Sequence, residues 1–287
     1  MGNNKIPAVF SYIASRRNDL TVRENEIANF VLKNSDFIVN NTITNIASEI
    51  GVSETSINRF CKKIGYRGFQ DFKIALVQGS FYREINADQT NAPQSMFTSM
   101  LADYKEVLDS TVSMMKEEDF MAIVEYIRNS NHIYIFDNHS SLKIGENLRS
   151  KLKTIGIDSI IISDWSSMRL YCSKCQKDDV FFTFFNTMYS TAMIDALSQV
   201  SQKEGKNIVM TSYDSQKVSE IAAVKIVSAD KLYIKNKDAL SEQIAFVLII
   251  DLLFSHLLLE EDYMQEKKNS DHIAETEQIA NSYYFSM

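Results

Sequence analysis

Hydrophobic residues recur at helical spacing through residues 5–78, where short polar turns separate one amphipathic segment from the next. In one of these segments Ser53, a preferred N-cap residue, precedes a stripe with i, i+3, i+4, i+7 spacing. The stripe consists of Ile57, Phe60, Cys61 and Ile64. A stripe of this kind buries one face of a helix and leaves the opposite face in solvent. The pattern predicts an all-helical amino-terminal unit.

A different pattern begins near residue 133, where short apolar runs alternate with helical segments. The five runs are Ile133–Phe136, Ser159–Ile162, Val180–Phe185, Ile208–Thr211 and Val224–Val227. Strands that alternate with helices form a parallel sheet whose two faces are both covered by helices. We therefore expect an α/β/α sandwich with a five-stranded parallel sheet.

These patterns divide the 287 residues into four segments. They are a helical domain at 1–79, a linker at 80–104, an α/β domain at 105–260 and a polar tail at 261–287. The linker is predicted because the helical periodicity is lost after residue 79 and Asn, Asp, Gln and Pro follow. A helix at about 239–259 is apolar nearly all round, which predicts burial in the core or in a subunit interface.

Charge distinguishes the two domains. Residues 1–85 hold 11 Lys and Arg against 8 Asp and Glu, whereas the other 202 residues hold 19 against 29. The net charge is −7, yet the positive amino-terminal part would attract a negatively charged partner. Three cysteines, an odd number, argue against a disulfide framework and favour the cytoplasm. No apolar run reaches the ~20 residues that span a bilayer and no signal peptide is evident, so we expect no membrane association.

The stretch GVSETSINRFCKKIGYRG, residues 51–68, has the features of a helix-turn-helix. Ala47, Gly51 and Ile57 provide a small residue in the first helix, a turn residue that tolerates positive φ, and an apolar anchor in the second helix. The outward face of the second helix would then carry hydroxyl, amide and basic groups, which read base edges and neutralise phosphates. For DNA contacts we predict Ser53, Thr55, Ser56, Asn58, Arg59, Lys62, Lys63 and Arg67.

Within this set, base reading is assigned to Ser56, Asn58 and Arg59. Phosphate contacts are assigned to Lys62, Lys63 and Arg67. On spacing alone, an ordinary solvated helix pair is the alternative interpretation. A protein-interaction module whose basic helix binds an acidic partner is a second alternative.

The run IASEIGVSETSINRFCKKIGYRGFQDFKIAL, with LTVRENEIANFVLKN before it, closely resembles the DNA-binding domain of RpiR-type bacterial transcriptional regulators. The resemblance implies a helix-turn-helix joined to a sugar-isomerase (SIS) domain, a flavodoxin-like α/β/α sandwich. It also implies a homodimer or tetramer that binds a palindromic double-stranded DNA operator and responds to a phosphorylated sugar. Regulators of this family sense their ligand without converting it, so we expect no enzymatic activity, and we expect no metal or cofactor.

The two loops that would bind the sugar phosphate depart from the pattern of the family. The first loop, DNHSS at 137–141, resembles G-x-G-x-S with Asp137 and His139 in place of the glycines. The second, FNTMYS at 185–190, resembles S-x-S-G-x-T with Phe185 and Met188 at the first Ser and the Gly. Four hydroxyl groups are the predicted ligand contacts, and they belong to Ser140, Ser141, Thr187 and Ser190. A degenerate sensor fold, kept for dimerisation or for another ligand, is the alternative.

Two further interpretations remain open from the sequence. An SIS-type isomerase or binding protein with an accessory helical domain would also combine these two patterns. The CSKC run at 172–175 could be half of a zinc site or a redox pair, but a second cysteine pair is missing. Cys pairs at i, i+3 in a helical segment are often coincidental, so we expect these thiols to be structural.

Overall fold

The amino-terminal region of the computed structural model is helical, and two of its helices follow each other across a tight turn. The structure describes residues 9–88, 95–137, 143–185, 190–231, 234, 238–241 and 243–284, with the backbone alone for 79–88 and 277–284. The amino-terminal helices are α1 (Val9–Ser15), α2 (Val22–Lys33), α3 (Ser35–Asn40), α4 (Ile43–Ile50), α5 (Glu54–Lys63) and α6 (Phe69–Asp88). Together these helices form what we call the helical unit.

Local sequence signals begin and end these helices. Thr21 accepts a hydrogen bond from the Glu24 backbone N–H, and the Glu24 carboxylate accepts one from the Thr21 N–H, so the two residues form a capping box at the start of α2. Gly51 has a φ of 76° and ends α4, and its N–H donates to the Ala47 carbonyl oxygen at 3.0 Å. A side chain at Gly51 would be strained, because L-residues rarely adopt this conformation.

The predicted linker at 80–104 contains helical residues at both of its ends. Helix α6 continues to Asp88, and α7 (Met96–Met114) begins well before residue 104. The loss of periodicity after residue 79 did not indicate the second half of α6, whereas the helical pattern that resumes at about residue 96 matches the start of α7. A helix that buries little surface has polar residues and no hydrophobic stripe, and an irregular linker has the same composition. The sequence therefore does not distinguish the two.

A five-stranded parallel sheet follows, with the strand order β2-β1-β3-β4-β5. The strands are β1 (Ile133–Phe136), β2 (Ile160–Ile162), β3 (Val180–Phe185), β4 (Lys206–Thr211) and β5 (Val224–Val227). The helices between them are α9 (Ile144–Lys153), α10 (Trp165–Lys174), α11 (Thr191–Gln202) and α12 (Gln216–Ile221). The strand order reverses between β1 and β3, so this is the topological switch point at which open α/β sheets bind ligands.

Helices cover both faces of the sheet, as predicted. Alternate residues of β3 enter two different hydrophobic cores, with Phe182 and Phe184 in one and Phe181 and Phe185 in the other. Every residue of β3 is buried, which explains its continuous apolar run. The second core is completed by α10, α11 and α12. The first is completed by α9 together with α8 (Glu117–Arg128) and α13 (Ile244–Leu257).

The last two helices also differ from each other as the sequence predicts. Helix α13 is buried against the sheet, although it begins five residues after the predicted start near residue 239. Helix α14 (Glu261–Tyr284) is polar and mostly exposed over the side chains that the structure describes. Among the described helices, none combines the length and the apolar character that crossing a membrane requires.

Candidate DNA-binding and effector sites

The second helix of the helix-turn-helix, α5, packs by the apolar stripe that the sequence predicts. Ile57, Phe60, Cys61 and Ile64 are all buried in the core of the helical unit. Ser53 is the N-cap of α5, and its Oγ accepts the Ser56 N–H at 3.1 Å. The stripe and the cap fix the rotation of α5 about its axis, so its outward face is set by the tertiary structure.

That outward face carries basic and hydroxyl groups in solvent. The side chains of Thr55, Arg59 and Lys62 are exposed on α5, and that of Arg67 is exposed just beyond it. Ser56 is half-buried, and its Oγ lies 2.8 Å from the Ser53 Oγ. The amino-terminal residues of a recognition helix reach base edges while flanking cations contact phosphates. The exposed set therefore has the chemistry that a major-groove contact needs.

Asn58 makes an internal contact that the sequence did not predict. Its Oδ1 accepts the backbone N–H of Phe69 at 3.0 Å, at the first residue of α6. Its Nδ2 lies 3.4 Å from the Glu54 carbonyl oxygen. The amide thus ties α5 to α6, and reading a base would leave the Phe69 N–H without this acceptor. Helical spacing does not show which outward residue the next helix covers, so this contact could not be predicted, and base reading by Asn58 stays a prediction that would have to break it.

Lys63 is also engaged within the protein. Its Nζ lies 2.7 Å from the Glu24 carboxylate at the start of α2. Burial raises the pKa of Glu24, but hydrogen bonds from Lys63 and Thr21 outweigh it and leave the pKa below its usual value. In the chain without DNA, Lys63 thus forms an ion pair that holds α5 against α2, and its phosphate contact stays a prediction that competes with this pair.

Arg16, which follows α1, joins the helical unit to the α/β domain. Its Nη1 donates to the Lys63 carbonyl oxygen at 2.5 Å, and its Nε donates to the Asp214 carboxylate at 2.8 Å. Asp214 lies three residues beyond the end of β4, and Lys225 of β5 also donates to it. Burial raises the pKa of Asp214, but Lys225 and Arg16 together outweigh burial and lower it. We call Arg16, Asp214 and Lys225 the clasp.

The clasp could not be found from the sequence. Arg16 and Asp214 are 198 positions apart, and neither belongs to a motif. Two hydrogen bonds from backbone N–H groups reinforce it: the Asp214 N–H donates to the Ser15 carbonyl oxygen at 2.9 Å, and the Gln216 N–H donates to the Asp19 carboxylate at 3.1 Å. The one available signal was a charged residue in the loop that follows β4, and it identified no partner.

At the switch point, Asp137 directly follows β1 and its carboxylate faces the start of α9. Its Oδ2 accepts the Gly145 N–H at 2.7 Å. A Cβ on Gly145 would lie 2.8 Å from the Asp137 Cβ and 2.9 Å from a methyl of Ile135, so only glycine permits this approach. Amide groups at a helix N-terminus attract anions, and here the carboxylate of the protein itself accepts one of those N–H groups.

Of the four predicted ligand hydroxyls, the structure describes one. Ser190 is the N-cap of α11, and its Oγ accepts the Met193 N–H at 3.2 Å. Ser140, Ser141 and Thr187 lie outside the described residues. Phe185, at the end of β3, is buried in the second core, so its side chain contributes to packing at this edge of the sheet.

The CSKC run lies at the end of α10, and both of its thiols are buried. Burial raises the pKa of Cys172 to about 12 and that of Cys175 to about 11. A thiol with so high a pKa is almost fully protonated at neutral pH, and the thiolate is the nucleophile and metal ligand. In the described part of the chain, no group of three His, Cys, Asp or Glu side chains is arranged to hold a metal ion.

Comparisons with known proteins agree with this architecture. Residues 8–80 match the family described as the helix-turn-helix domain of the rpiR family. An uncharacterized HTH-type transcriptional regulator of Caldanaerobacter subterraneus subsp. tengcongensis is 23% identical over 250 residues, which cover 86% of this chain and 89% of that protein.

Two solved structures share the fold. The Vibrio vulnificus NanR protein complexed with ManNAc-6P is 19% identical with a TM-score of 0.55, and the alignment covers 92% of this chain and 97% of NanR. The sugar isomerase domain of an RpiR transcription factor from Sphaerobacter thermophilus is 17% identical with a TM-score of 0.53, covering 62% of this chain and 99% of that one. The predicted RpiR-type helix-turn-helix matches at residues 8–80, and the predicted α/β/α sandwich with a five-stranded parallel sheet is confirmed.

Proposed function

We propose that this chain, an RpiR-type regulator with a helix-turn-helix at residues 8–80, controls genes of sugar or amino-sugar metabolism by binding a palindromic DNA operator through α5. The observation that carries the proposal is the exposed basic face of α5, where Arg59 and Lys62 point away from a fully packed core. Arg reads guanine through two hydrogen bonds, and Lys neutralises phosphate. A DNA-binding regulator acts in the cytoplasm of a bacterial cell.

The effector in this proposal is a phosphorylated sugar bound at the carboxyl edge of the sheet. NanR, which shares the fold, is described in complex with ManNAc-6P, a phosphorylated amino sugar. The switch point between β1 and β3 is the expected place for such a ligand. Of the predicted ligand hydroxyls, that of Ser190 lies among the residues that the structure describes, and its position at the start of α11 supports this placement.

A second copy of the chain completes the proposed regulator. Helix α7 exposes large apolar side chains, with Met96 80%, Phe97 86% and Leu101 69% accessible in the single chain. Apolar side chains that cluster on one exposed helix are a common mark of a protein interface. A two-fold dimer would present two copies of α5 to half-sites about 34–36 Å apart.

Sensing without conversion is the proposed activity of the α/β domain. An isomerase needs a base that is poised to move a proton between adjacent carbons. Asp137 directs its carboxylate to the Gly145 N–H, which is the behaviour of a helix cap. The SIS-type isomerase is the alternative, and turnover of hexose phosphates in a coupled assay would support it.

Selection from random double-stranded DNA tests the proposed function, because the selection assumes no operator sequence. The wild-type protein should enrich a palindromic sequence, and Arg59→Ala should bind that sequence with about 1–3 kcal/mol less free energy and with relaxed base preference. Lys33→Ala, an exposed change at the end of α2, is the control and should bind as the wild type does. Recovery of unrelated sequences by the wild type would overturn the proposal.

A further inference from the structure

The helical unit and the α/β domain meet through polar contacts. Each described hydrophobic core draws its buried residues from one of the two units only. Two clefts of about 630 and 270 Å³ open along the boundary, and Asp19 and Asp214 line both of them. Interfaces between domains are commonly polar and permit relative motion unless they are large and hydrophobic. The clasp and the two hydrogen bonds that reinforce it therefore have a large share in setting the orientation of the helical unit.

We propose that the Arg16–Asp214 clasp sets the orientation of the recognition helix relative to the α/β domain and transmits changes at the carboxyl edge of the sheet to it. This inference rests on the proposed function, because it concerns how a DNA-binding helix is controlled. Its geometric part, a fixed orientation of the helical unit, does not depend on DNA.

One end of the clasp lies at the recognition helix. Arg16 donates to the Lys63 carbonyl oxygen, which belongs to the last residue of α5. The last carbonyl groups of a helix lack partners within the helix and accept hydrogen bonds from basic side chains. The Lys63 side chain meanwhile pairs with Glu24. The carboxyl end of α5 is thus held from two sides, and the exposed Arg59 and Lys62 remain accessible to DNA.

The other end lies at the edge of the sheet where ligands bind in this class of fold. Asp214 belongs to the loop between β4 and α12, and the Tyr213 N–H in that loop donates to the Thr211 Oγ1 at 2.9 Å. Lys225 holds the same carboxylate from β5. A ligand that shifts this loop would move Asp214, and with it Arg16 and the end of α5.

Arg16 suits this role because its guanidinium bridges two acceptors at once. The Nε contacts Asp214 and the Nη1 contacts the Lys63 carbonyl oxygen, so one rigid planar group connects the two units. The Asp214 side chain is shielded from solvent and only 11% exposed, whereas the Arg16 side chain is 36% exposed. Partial burial of the carboxylate strengthens the ion pair relative to a fully exposed one.

The first experiment measures the binding of the full-length protein to the palindrome that the wild type selects and, separately, to a single half-site. Asp214→Asn should weaken binding to the palindrome by roughly 5- to 150-fold, because helical units whose orientation is less fixed match the half-site spacing less often. Half-site affinity should not change, because the DNA-contacting face of α5 is intact. Glu204→Gln, which breaks the exposed Lys177–Glu204 pair of the same domain, is the matched control and should change neither affinity.

Arg16→Gln and the Arg16→Gln/Asp214→Asn double variant complete a double-mutant cycle. If the two residues act as one device, the double variant should bind the palindrome about as weakly as either single variant. Unchanged palindrome affinity in all three variants would overturn the proposal. Equal loss at the palindrome and at the half-site would also overturn it, because that result indicates damage to the DNA-binding face itself.

A second experiment needs no DNA and therefore separates this inference from the proposed function. Spin labels at Lys33→Cys on α2 and Gln202→Cys on α11 report the distance between the two units, and the native thiols are buried. Labelled protein is mixed with an excess of unlabelled protein so that only distances within one chain are measured; the wild type should then give one narrow distance distribution, and Asp214→Asn should broaden it. The same narrow distribution in both proteins would overturn the clasp, whether or not the protein binds DNA.

Discussion

The two candidate sites differ in how their functional groups relate to the fold. On α5, the groups predicted to read DNA are side chains on the solvent face of a helix whose other face is buried. At the switch point, by contrast, the groups that would meet a ligand belong to loops, and the Asp137 carboxylate is already hydrogen-bonded to the Gly145 N–H. A helix face can thus be predicted from spacing, whereas a loop site depends on contacts that only the folded chain makes.

The largest expected effect is on the rate at which the buried thiols of the two units react, and this rate compares how readily each unit opens. Burial raises the pKa of Cys61 in the helical unit and of Cys172 in the α/β domain to about 12 each. Relative to a free thiol near pKa 8.5, the thiolate population at pH 8 falls by about three orders of magnitude. Native labelling with a thiol reagent should be slower by at least that factor than labelling of an exposed Lys33→Cys.

Residual labelling then reports local opening, because a buried thiol reacts only when its unit opens. Peptide mapping of the labelled protein assigns each rate to a unit. Similar opening rates for Cys61 and Cys172 would show that the units open together, in conflict with separate hydrophobic cores. Rapid labelling of Cys172 or Cys175 in the native protein would revive a redox role for the CSKC run.

A smaller effect sharpens the comparison within α5 itself. Lys62 is exposed, whereas Lys63 pairs with Glu24 at 2.7 Å. Lys62→Gln should weaken binding to all DNA sequences and reduce the slope of log K against log salt by about 0.9, the value of one phosphate contact. Lys63→Gln should leave that slope unchanged. Titrations at several salt concentrations measure both slopes, and equal slopes for the two variants would remove the distinction.

The smallest expected effect concerns the switch point. Asp137→Asn removes a negative charge from the start of α9, where anions are favoured by about 0.3–1 kcal/mol. The variant should therefore bind hexose 6-phosphates more tightly than the wild type. The free energy above corresponds to a roughly two- to fivefold change in affinity. Glu204→Gln, which removes a charge near the opposite end of the sheet, is the control. Isothermal titration calorimetry measures the affinity of both proteins for phosphorylated and unphosphorylated hexoses. If the effect is one of charge, only the affinity for the phosphorylated ligands should change.

The amino-acid sequence determined much of the fold through local rules. Helical spacing and the cap at Ser53 predicted which face of α5 is buried, and five apolar runs predicted the strands of the parallel sheet. Composition did not reveal that α6 continues to Asp88 inside the predicted linker. Local patterns predict elements well because they reflect the periodicity of one helix or strand against water.

Only the tertiary structure decided what individual outward residues do. Asn58 and Lys63 lie on α5 as predicted, yet the chain folds α6 over the first and α2 beside the second, so both make internal contacts. Arg16 and Asp214 meet although 198 positions separate them. Contacts between distant segments depend on how complete elements pack, and the spacing of residues within one element carries no record of that packing.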